Sequence, residues 1–161
     1  MSPPQPSVSD VVTSMLQAVD NLDWKAIHAA FAPEIAVDYT SLWGGEAETL
    51  TIDELIGQWQ GLLPGFDATQ HLTGPIVVTA SDNRSATCRT TVRGYHHLVD
   101  DTGSAATWMC GGQYVIGLAR GTPTDGWAIS DITLLATYED GDHGLTDLAV
   151  VPGDVADAAD G

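Results

Sequence analysis

Hydrophobic residues in the first part of the chain recur every three or four positions, which is the spacing of amphipathic helices. The pattern predicts a first helix capped by Ser9 or Asp10, a second short helix between Asp23 and Pro33, and a third after Thr51. The apolar faces of these helices consist of Val11, Val12, Met15, Leu16 and Val19, then Trp24, Ile27 and Phe31, then Leu55, Ile56, Trp59 and Leu62. Helices that are apolar on one side need another layer to cover them.

The rest of the chain has the residue composition that is typical of β-strands. A short strand is predicted at 35–39, and long strands rich in Val, Ile, Thr, Tyr and Trp are predicted at 69–80, 84–99, 105–120 and 126–139. Turn clusters between the long strands are typical of antiparallel hairpins. Helices followed by such a meander predict an α+β domain, in which a strongly curved sheet wraps around the N-terminal helices as a cone with an internal pocket.

Length and composition indicate one domain without a membrane segment. Residues 1–8 are Pro-rich and predicted to be disordered, 9–140 form the predicted domain, and 141–161 form an acidic C-terminal extension that ends in a solvated tail. The start of the chain lacks the pattern of a signal peptide, and no apolar run reaches the length of a membrane span. We therefore expect a cytoplasmic protein with no membrane partner.

Charge and cysteine content exclude further classes of function. The chain has 5 Lys and Arg against 22 Asp and Glu, a net charge of −17, so it lacks the basic clusters that nucleic acids and anionic membranes require. Cys88 and Cys110 have no metal-motif spacing and are predicted to be free, buried thiols.

Strand alternation predicts which polar residues point inward. Along 84–99 the even positions are small or apolar and include His96, whereas the odd positions carry two arginines and His97. His96 is therefore predicted to face the pocket and His97 the solvent. On 108–118 the set that begins with Trp108 and includes Tyr114 is the better candidate for the core face.

Other polar residues stand at the ends of predicted core elements: His71 begins the first long strand, Tyr39 closes the short strand and Asp20 ends the first helix. Two imidazoles and a phenol near a carboxylate are suited to proton transfer, with Asp20 as the candidate partner of His96. Each residue also has a structural interpretation, as a core histidine, a surface residue, a core aromatic or a turn aspartate. No HxH or HxxxH pair supports a metal site.

Several stretches, taken in order, resemble the scytalone dehydratase branch of the NTF2-like, or SnoaL-like, superfamily over roughly residues 12–140. The matching stretches are Asp20-Asn21-Leu22-Asp23-Trp24, Ala32-Pro33, Asp38-Tyr39-Thr40-Ser41, Thr69-Gln70-His71 with Gly74, Gly94-Tyr95-His96 and Asp125-Gly126-Trp127. The resemblance implies a cone-shaped α+β barrel without cofactor or metal, which dehydrates a hydroxylated bicyclic ketone. It also implies homodimers or homotrimers formed through the sheet.

The resemblance assigns roles to four residues of this chain. Tyr39 would polarise the substrate carbonyl, His71 and His96 would be the catalytic histidines, and Asp20 would pair with His96. The chain departs from the pattern at Val19, which stands where the dehydratase has a second tyrosine. Near Gly112 and Tyr114 it also lacks the Ser and Asn of the family. The departures imply a different substrate with the acid–base machinery retained, and they leave open whether the reaction is the same.

The sequence thus predicts a cofactor-independent lyase or isomerase acting on a small, apolar, oxygenated cyclic or polyketide-like metabolite in a closed pocket. A SnoaL-like cyclase or epoxide hydrolase is one alternative, and a binding or assembly module without chemistry is another. The predicted walls of the pocket are Trp24, Leu42, Trp43, Trp59, Phe66, Trp108 and Tyr114.

Overall fold

Five α-helices and seven β-strands form the described part of the chain, residues 3–151 of a computed structural model. The helices are α1 (Val8–Asp20), α2 (Trp24–Ala30), α3 (Thr40–Trp43), α4 (Ile52–Gln60) and α5 (Leu145–Ala149). The strands are β1 (Phe31–Asp38), β2 (Glu48–Thr51), β3 (Ala68–Thr73), β4 (Val77–Ser81), β5 (Ser85–Val99), β6 (Ala105–Ala119) and β7 (Ala128–Gly141). A 3-10 turn at Leu63–Gly65 links α4 to β3.

All seven strands belong to one curved sheet. Its order is β2-β1-β7-β6-β5-β3, and β4 pairs with β5 beside β3. The strands β5, β6 and β7 form the long antiparallel meander, and β1 runs parallel to β7. This confirms the predicted α+β class with a curved sheet and N-terminal helices. Within residues 3–151 no pairing joins β2 to β3, so the sheet stays open and does not close into a barrel.

Two element boundaries differ from the sequence prediction for reasons of proline chemistry. The segment 69–80 forms two strands, β3 and β4, with Pro75 in the gap, and a proline cannot donate a hydrogen bond to a neighbouring strand. Strand β1 begins at Phe31 instead of residue 35, because Pro33 disfavours a helical conformation at Ala32 and ends α2 early. The short elements α3 and β2 were not predicted.

The helix caps refine the predicted starts. Ser7, not Ser9 or Asp10, caps α1: its hydroxyl accepts from the Asp10 backbone N–H at 3.2 Å. The Asp10 carboxylate in turn accepts from the Ser7 backbone N–H at 2.9 Å, which completes a capping box. The predicted caps Asp23 and Thr51 are confirmed for α2 and α4.

The core lies between the apolar face of α1 and the inner face of the sheet. The even positions of β5, including Cys88 and His96, are buried, while Arg89 and Arg93 are exposed, which confirms the predicted alternation. Cys88 and Cys110 are buried free thiols, as predicted. None of the helices among residues 3–151 has the length and apolar composition to cross a membrane.

The folded chain continues past residue 140. Helix α5 buries Leu145 and Ala149, and the Val151 backbone N–H donates to the Gly61 carbonyl at 2.8 Å. Helix α5 therefore packs against the turn that follows α4. Residues 152–161, which include the predicted solvated tail, and residues 1 and 2 of the predicted N-terminal segment lie outside the described residues.

Gly65 is the point of closest approach between this turn and α5. A Cβ at Gly65 would lie 1.7 Å from the Ala149 carbonyl oxygen, whereas a Cβ at Gly57, inside α4, would meet nothing within 4 Å. We expect Gly65→Ala to destabilise the protein by about 1–3 kcal/mol because α5 must move. The control Gly57→Ala should stabilise it by roughly 0.5–1 kcal/mol. Urea unfolding measures both changes, and a neutral Gly65→Ala would contradict the packing of α5.

Candidate active site

A cavity of about 380 Å³ lies between the helices and the inner face of the sheet. The predicted catalytic residues Tyr39, His71 and His96 line it, and so do five of the predicted wall residues, Leu42, Trp43, Trp59, Trp108 and Tyr114. Its remaining walls are mainly aliphatic. Exposed Glu46, Glu48 and Gln58 also belong to the lining and mark where the cavity reaches solvent, so the pocket is not closed as predicted.

The last residue of α1, Asp20, meets the edge strand β3 through three hydrogen bonds. Asp20 Oδ1 lies 2.7 Å from His71 Nδ1 and accepts from Thr69 Oγ1 at 3.0 Å, and Oδ2 accepts from the His71 backbone N–H at 2.8 Å. Burial acts to raise the pKa of the Asp20 carboxyl, but the hydrogen bonds from His71 and Thr69 outweigh it and hold that pKa below its usual value. The carboxylate is therefore ionised, although a helix C-terminus disfavours an anion.

The partner of Asp20 is His71, which corrects the predicted pairing with His96. Strand β3 forms the sheet edge next to α1, and its register places Thr69 opposite His96 and His71 opposite Gly94. His71 thus stands nearer the end of α1, whereas His96 lies one strand further into the sheet. The choice of partner depends on this cross-strand register, which a single strand pattern does not reveal.

The pair fixes the tautomer of the neutral His71 ring. An ionised carboxylate only accepts hydrogen bonds, so Nδ1–H of His71 donates to Asp20, and in the neutral ring the lone pair is then on Nε2. Gly94 provides the space for this ring: a Cβ there would lie 3.2 Å from Nε2 of His71 and 3.4 Å from Cε1 of His96. The small residue between the histidines lets both rings reach the cavity wall.

His96 packs among aromatic rings without a hydrogen bond at Nδ1. Its ring centroid lies 4.5 Å from that of Trp108, 5.0 Å from that of Phe66 and 5.8 Å from that of His71. Nδ1 is buried and has no hydrogen-bond partner within residues 3–151. Burial, followed by repulsion from His71, lowers the pKa of His96 to about 4, so the ring is neutral at neutral pH.

Two phenols face each other in the cavity. Burial and the adjacent Tyr114 raise the pKa of Tyr39 well above its usual value, and burial raises the pKa of Tyr114 to about 12. Both hydroxyls therefore remain protonated and can donate hydrogen bonds. Asp38 accepts from the Thr40 backbone N–H and hydroxyl at the start of α3 and does not line the cavity, consistent with its predicted outward orientation.

Three predicted site residues lie outside the cavity lining. Asp20 is hydrogen-bonded to His71, the Phe66 ring packs on the His96 ring, and Trp24 packs against the core from α2. Sequence reasoning missed the roles of Thr69 and Gly94. Alternation along β3 contains the signal for Thr69, because residues two apart on a strand share a face and can reach the same carboxylate.

Comparison with known proteins identifies the family. A family model described as a SnoaL-like domain matches residues 5–133, which is most of the chain. The chain belongs to the SnoaL-like family. No curated protein matches it. The SnoaL-like match contains Asp20, Tyr39, His71 and His96, and it ends before the last part of β7.

Solved structures share the SnoaL-like fold at low identity. Kfla4162 from Kribbella flavida is 23% identical with a TM-score of 0.75, over 88% of this chain and 93% of that one. A candidate scytalone dehydratase from Novosphingobium aromaticivorans is 17% identical with a TM-score of 0.71, over 84% and 85%. The hexachlorocyclohexane dehydrochlorinase LinA-type3 from Novosphingobium barchaimii is 13% identical with a TM-score of 0.67, over 85% and 88%. These likenesses establish the fold alone.

The buried state of His96 gives the SnoaL-like domain a specific pH dependence. Its pKa falls from the usual 6.5 to about 4 on folding, so the unfolded chain binds a proton first as the pH drops. Stability should therefore decline by about 3 kcal/mol between pH 6.5 and 4, at 1.36 kcal/mol per pKa unit. The free energy of unfolding of His96→Gln, measured by urea unfolding across this range, should depend less on pH than that of the wild type.

The matched control is His97→Gln, which removes a histidine from the outer face of the same strand. The groups that bear on the titration of His96 are His71, the backbone of Trp108 and Gly94, and Asp20. Parallel pH profiles for the wild type and His96→Gln would contradict the buried, neutral state of this ring.

Proposed function

We propose that the chain is a lyase that removes water from a small, uncharged cyclic compound with a hydroxyl group β to a carbonyl. The observation that carries the proposal is the Asp20–His71 pair, 2.7 Å from Oδ1 to Nδ1, at the wall of an apolar cavity. An imidazole oriented by a buried carboxylate is a recurrent general base in enzymes. The sequence left open which histidine is the base, and this pairing favours His71.

His71 is suited to accept a proton because its two ring nitrogens are in different situations. Nδ1 is engaged with Asp20, so the lone pair on Nε2 is the free acceptor. When Nε2 takes a proton, the ionised Asp20 stabilises the imidazolium. Thr69 and the His71 backbone N–H hold that carboxylate in place.

The reaction balances with His71 as the only group that changes its protonation state. His71 Nε2 takes the proton from the carbon α to the carbonyl, and the electrons of that C–H bond form an enolate. The enolate re-forms the carbonyl and a C=C bond as the β C–O bond breaks. The proton on His71 passes to the departing hydroxide, which leaves as water, and His71 returns to its neutral form.

The Tyr39–Tyr114 pair supplies a hydrogen bond to the enolate oxygen. The two phenols are hydrogen-bonded to each other, and the one that accepts within the pair keeps its own O–H for the substrate. Their raised pKa values keep both phenols protonated, so they can donate when negative charge develops on that oxygen. Donors fixed at the site of developing charge are among the largest contributions to catalysis. The resemblance assigned this contact to Tyr39 alone, and the geometry supports the addition of Tyr114.

His96 acts in this scheme as a neutral neighbour. Because its pKa of about 4 keeps the ring uncharged, only His71 becomes cationic during the reaction. A second imidazolium 5.8 Å away would oppose protonation of His71. We assign His96 to hydrogen bonding with the leaving hydroxyl.

The walls favour an apolar and uncharged substrate. A cavity of about 380 Å³ is in the usual range for small-molecule sites and fits a compound of one or two rings. None of the lining residues found within residues 3–151 is Lys or Arg, and Glu46 and Glu48 stand at the opening. An anionic substrate would lose its hydration there without gaining a cationic partner.

Two structural relatives support elimination as the reaction class. Their names, scytalone dehydratase and hexachlorocyclohexane dehydrochlorinase, denote the removal of water and of hydrogen chloride. Both removals are eliminations, in which a proton and a leaving group depart from neighbouring atoms. The same chemistry is proposed for the Asp20–His71 pair.

Removal of the base should abolish turnover without unfolding the protein. With a β-hydroxytetralone as probe, we expect His71→Ala to lower kcat by about 10²–10⁴-fold and Asp20→Asn to lower it by at least about tenfold. Absorbance of the naphthol product measures the rate, and mass spectrometry verifies the loss of water. The control His97→Ala should keep wild-type activity.

Wild-type turnover by His71→Ala would contradict its role as the base. A product of unchanged mass would overturn dehydration and favour the cyclase or isomerase alternative. Binding of the tetralone without any turnover by the wild-type protein would favour a ligand-binding module.

The charge selectivity of the cavity can be measured without knowledge of the substrate. We expect naphthoate to bind at least about tenfold more weakly than naphthol, as measured by quenching of tryptophan fluorescence, because Trp43, Trp59 and Trp108 line the cavity. The double variant Glu46→Gln/Glu48→Gln should reduce the difference in affinity between naphthol and naphthoate. The control Glu34→Gln, outside the lining, should leave this difference unchanged. Equal affinities of the wild type for both probes would contradict the selectivity.

A further inference from the structure

A second contact between a carboxylate and an imidazole lies near the end of β7. Glu139 Oε1 accepts a hydrogen bond from Trp108 Nε1 at 2.8 Å, and His143 Nδ1 lies 2.5 Å from the same oxygen. The side chains of Glu139 and His143 are 40% and 47% exposed. The proposed mechanism uses neither of them.

This contact fixes one wall of the cavity. Trp108 is 1% exposed, so its indole N–H has no access to solvent and needs an acceptor within the protein. Glu139 provides that acceptor from the neighbouring strand β7. It pairs with Cys110 of β6, and Cys110 and Trp108 both point to the inner face of the sheet. The indole is thereby held at its nitrogen while its ring forms the cavity wall.

The anchored indole is the neighbour that His96 packs on most closely. Their ring centroids are 4.5 Å apart with an interplanar angle of 34°, and Phe66 lies 5.0 Å from His96. Nδ1 of His96 has no hydrogen-bond partner within the described chain. Packing by Trp108 and Phe66 therefore contributes to the orientation of this imidazole, beside the backbone of Trp108 and Gly94 next to the ring.

We propose that Glu139 is a positioning residue of the candidate site: by holding the Trp108 indole, with His143 bound to the same carboxylate oxygen, it sets the orientation of His96. The consequence for turnover rests on the proposed function, whereas the effect on the His96 ring does not. Glu139 lies beyond residue 133, where the SnoaL-like match ends.

The sign of the change in the pKa of His96 distinguishes a positioning role of Glu139 from a purely electrostatic one. The groups that bear on His96 are His71, the backbone of Trp108 and Gly94, and Asp20. Those that face Glu139 are His143 and Cys110. Removal of the Glu139 charge alone would disfavour the imidazolium and lower the pKa of His96. Release of Trp108 would instead open the packing around His96 and raise that pKa, so the two effects have opposite signs.

The test compares Glu139→Leu, which removes the acceptor, with Glu139→Gln, which removes the charge but keeps an amide oxygen for the indole N–H. Two-dimensional NMR of the histidine rings measures the pKa of His96 and its tautomer, and the Trp108 Nε1–H resonance reports on the indole hydrogen bond. We expect Glu139→Leu to raise the pKa of His96 by about one unit or more and to shift the Trp108 resonance. Glu139→Gln should instead lower the pKa of His96 slightly, through loss of the charge alone, and keep the Trp108 indole hydrogen-bonded. Asp140→Asn, at the adjacent position of β7, is the control for loss of a nearby charge.

A Glu139→Leu variant with the His96 pKa and Trp108 resonance of the wild type would overturn the proposal. So would a lowered pKa of equal size in both Glu139 variants, which indicates only a charge effect. If Glu139→Leu does not fold, Glu139→Ala provides the same test, because it also removes the acceptor and leaves the Trp108 indole in place. A shifted His96 in a protein without dehydratase activity would support the positioning and refute only the proposed function.

Discussion

The hydrogen bonding of Asp20 is the interaction on which the rest of the site depends. The carboxylate ends α1, where the helix dipole disfavours an anion, and three donors from β3 compensate. These bonds join the helical layer to an edge strand that would otherwise present free backbone groups. They also decide which nitrogen of His71 carries the proton. One local interaction thus fixes the layer packing and the chemical state of the ring.

The presence of one carboxylate for two neighbouring histidines produces an asymmetric pair. His71 has a counter-ion, while His96 has aromatic neighbours and no partner for Nδ1. Protonation is therefore costly at His96 and is supported by Asp20 at His71. Two residues of the same type, with ring centroids 5.8 Å apart, thereby lie in different electrostatic surroundings. This asymmetry supports the proposal that His71 alone is the base.

Local patterns predicted the long helices and strands of this fold but not the short elements α3, β2 and α5. The contacts between elements depend on the long-range register of the strands. Alternation correctly separated His96 from His97, because burial of one face is a property of β5 itself. The partner of Asp20 depends instead on which edge strand lies beside α1, and no period of the sequence encodes that. The same holds for Glu139, which meets Trp108 only through the pairing of β6 with β7. The open sheet also reflects pairings that no single strand pattern specifies.

The pair of phenols shows why a residue-by-residue comparison underestimates this site. Val19 occupies the position at which the resemblance expects a second tyrosine, which implied an incomplete pair. In the folded chain, Tyr114 from β6 extends into the same cavity and stands against Tyr39. A hydrogen-bond donor acts through the position of its hydroxyl, irrespective of the strand or helix that carries it. In the proposed function, Tyr114 thus offsets the loss at Val19 from another element, so whole cavities have to be compared between relatives and not single aligned positions.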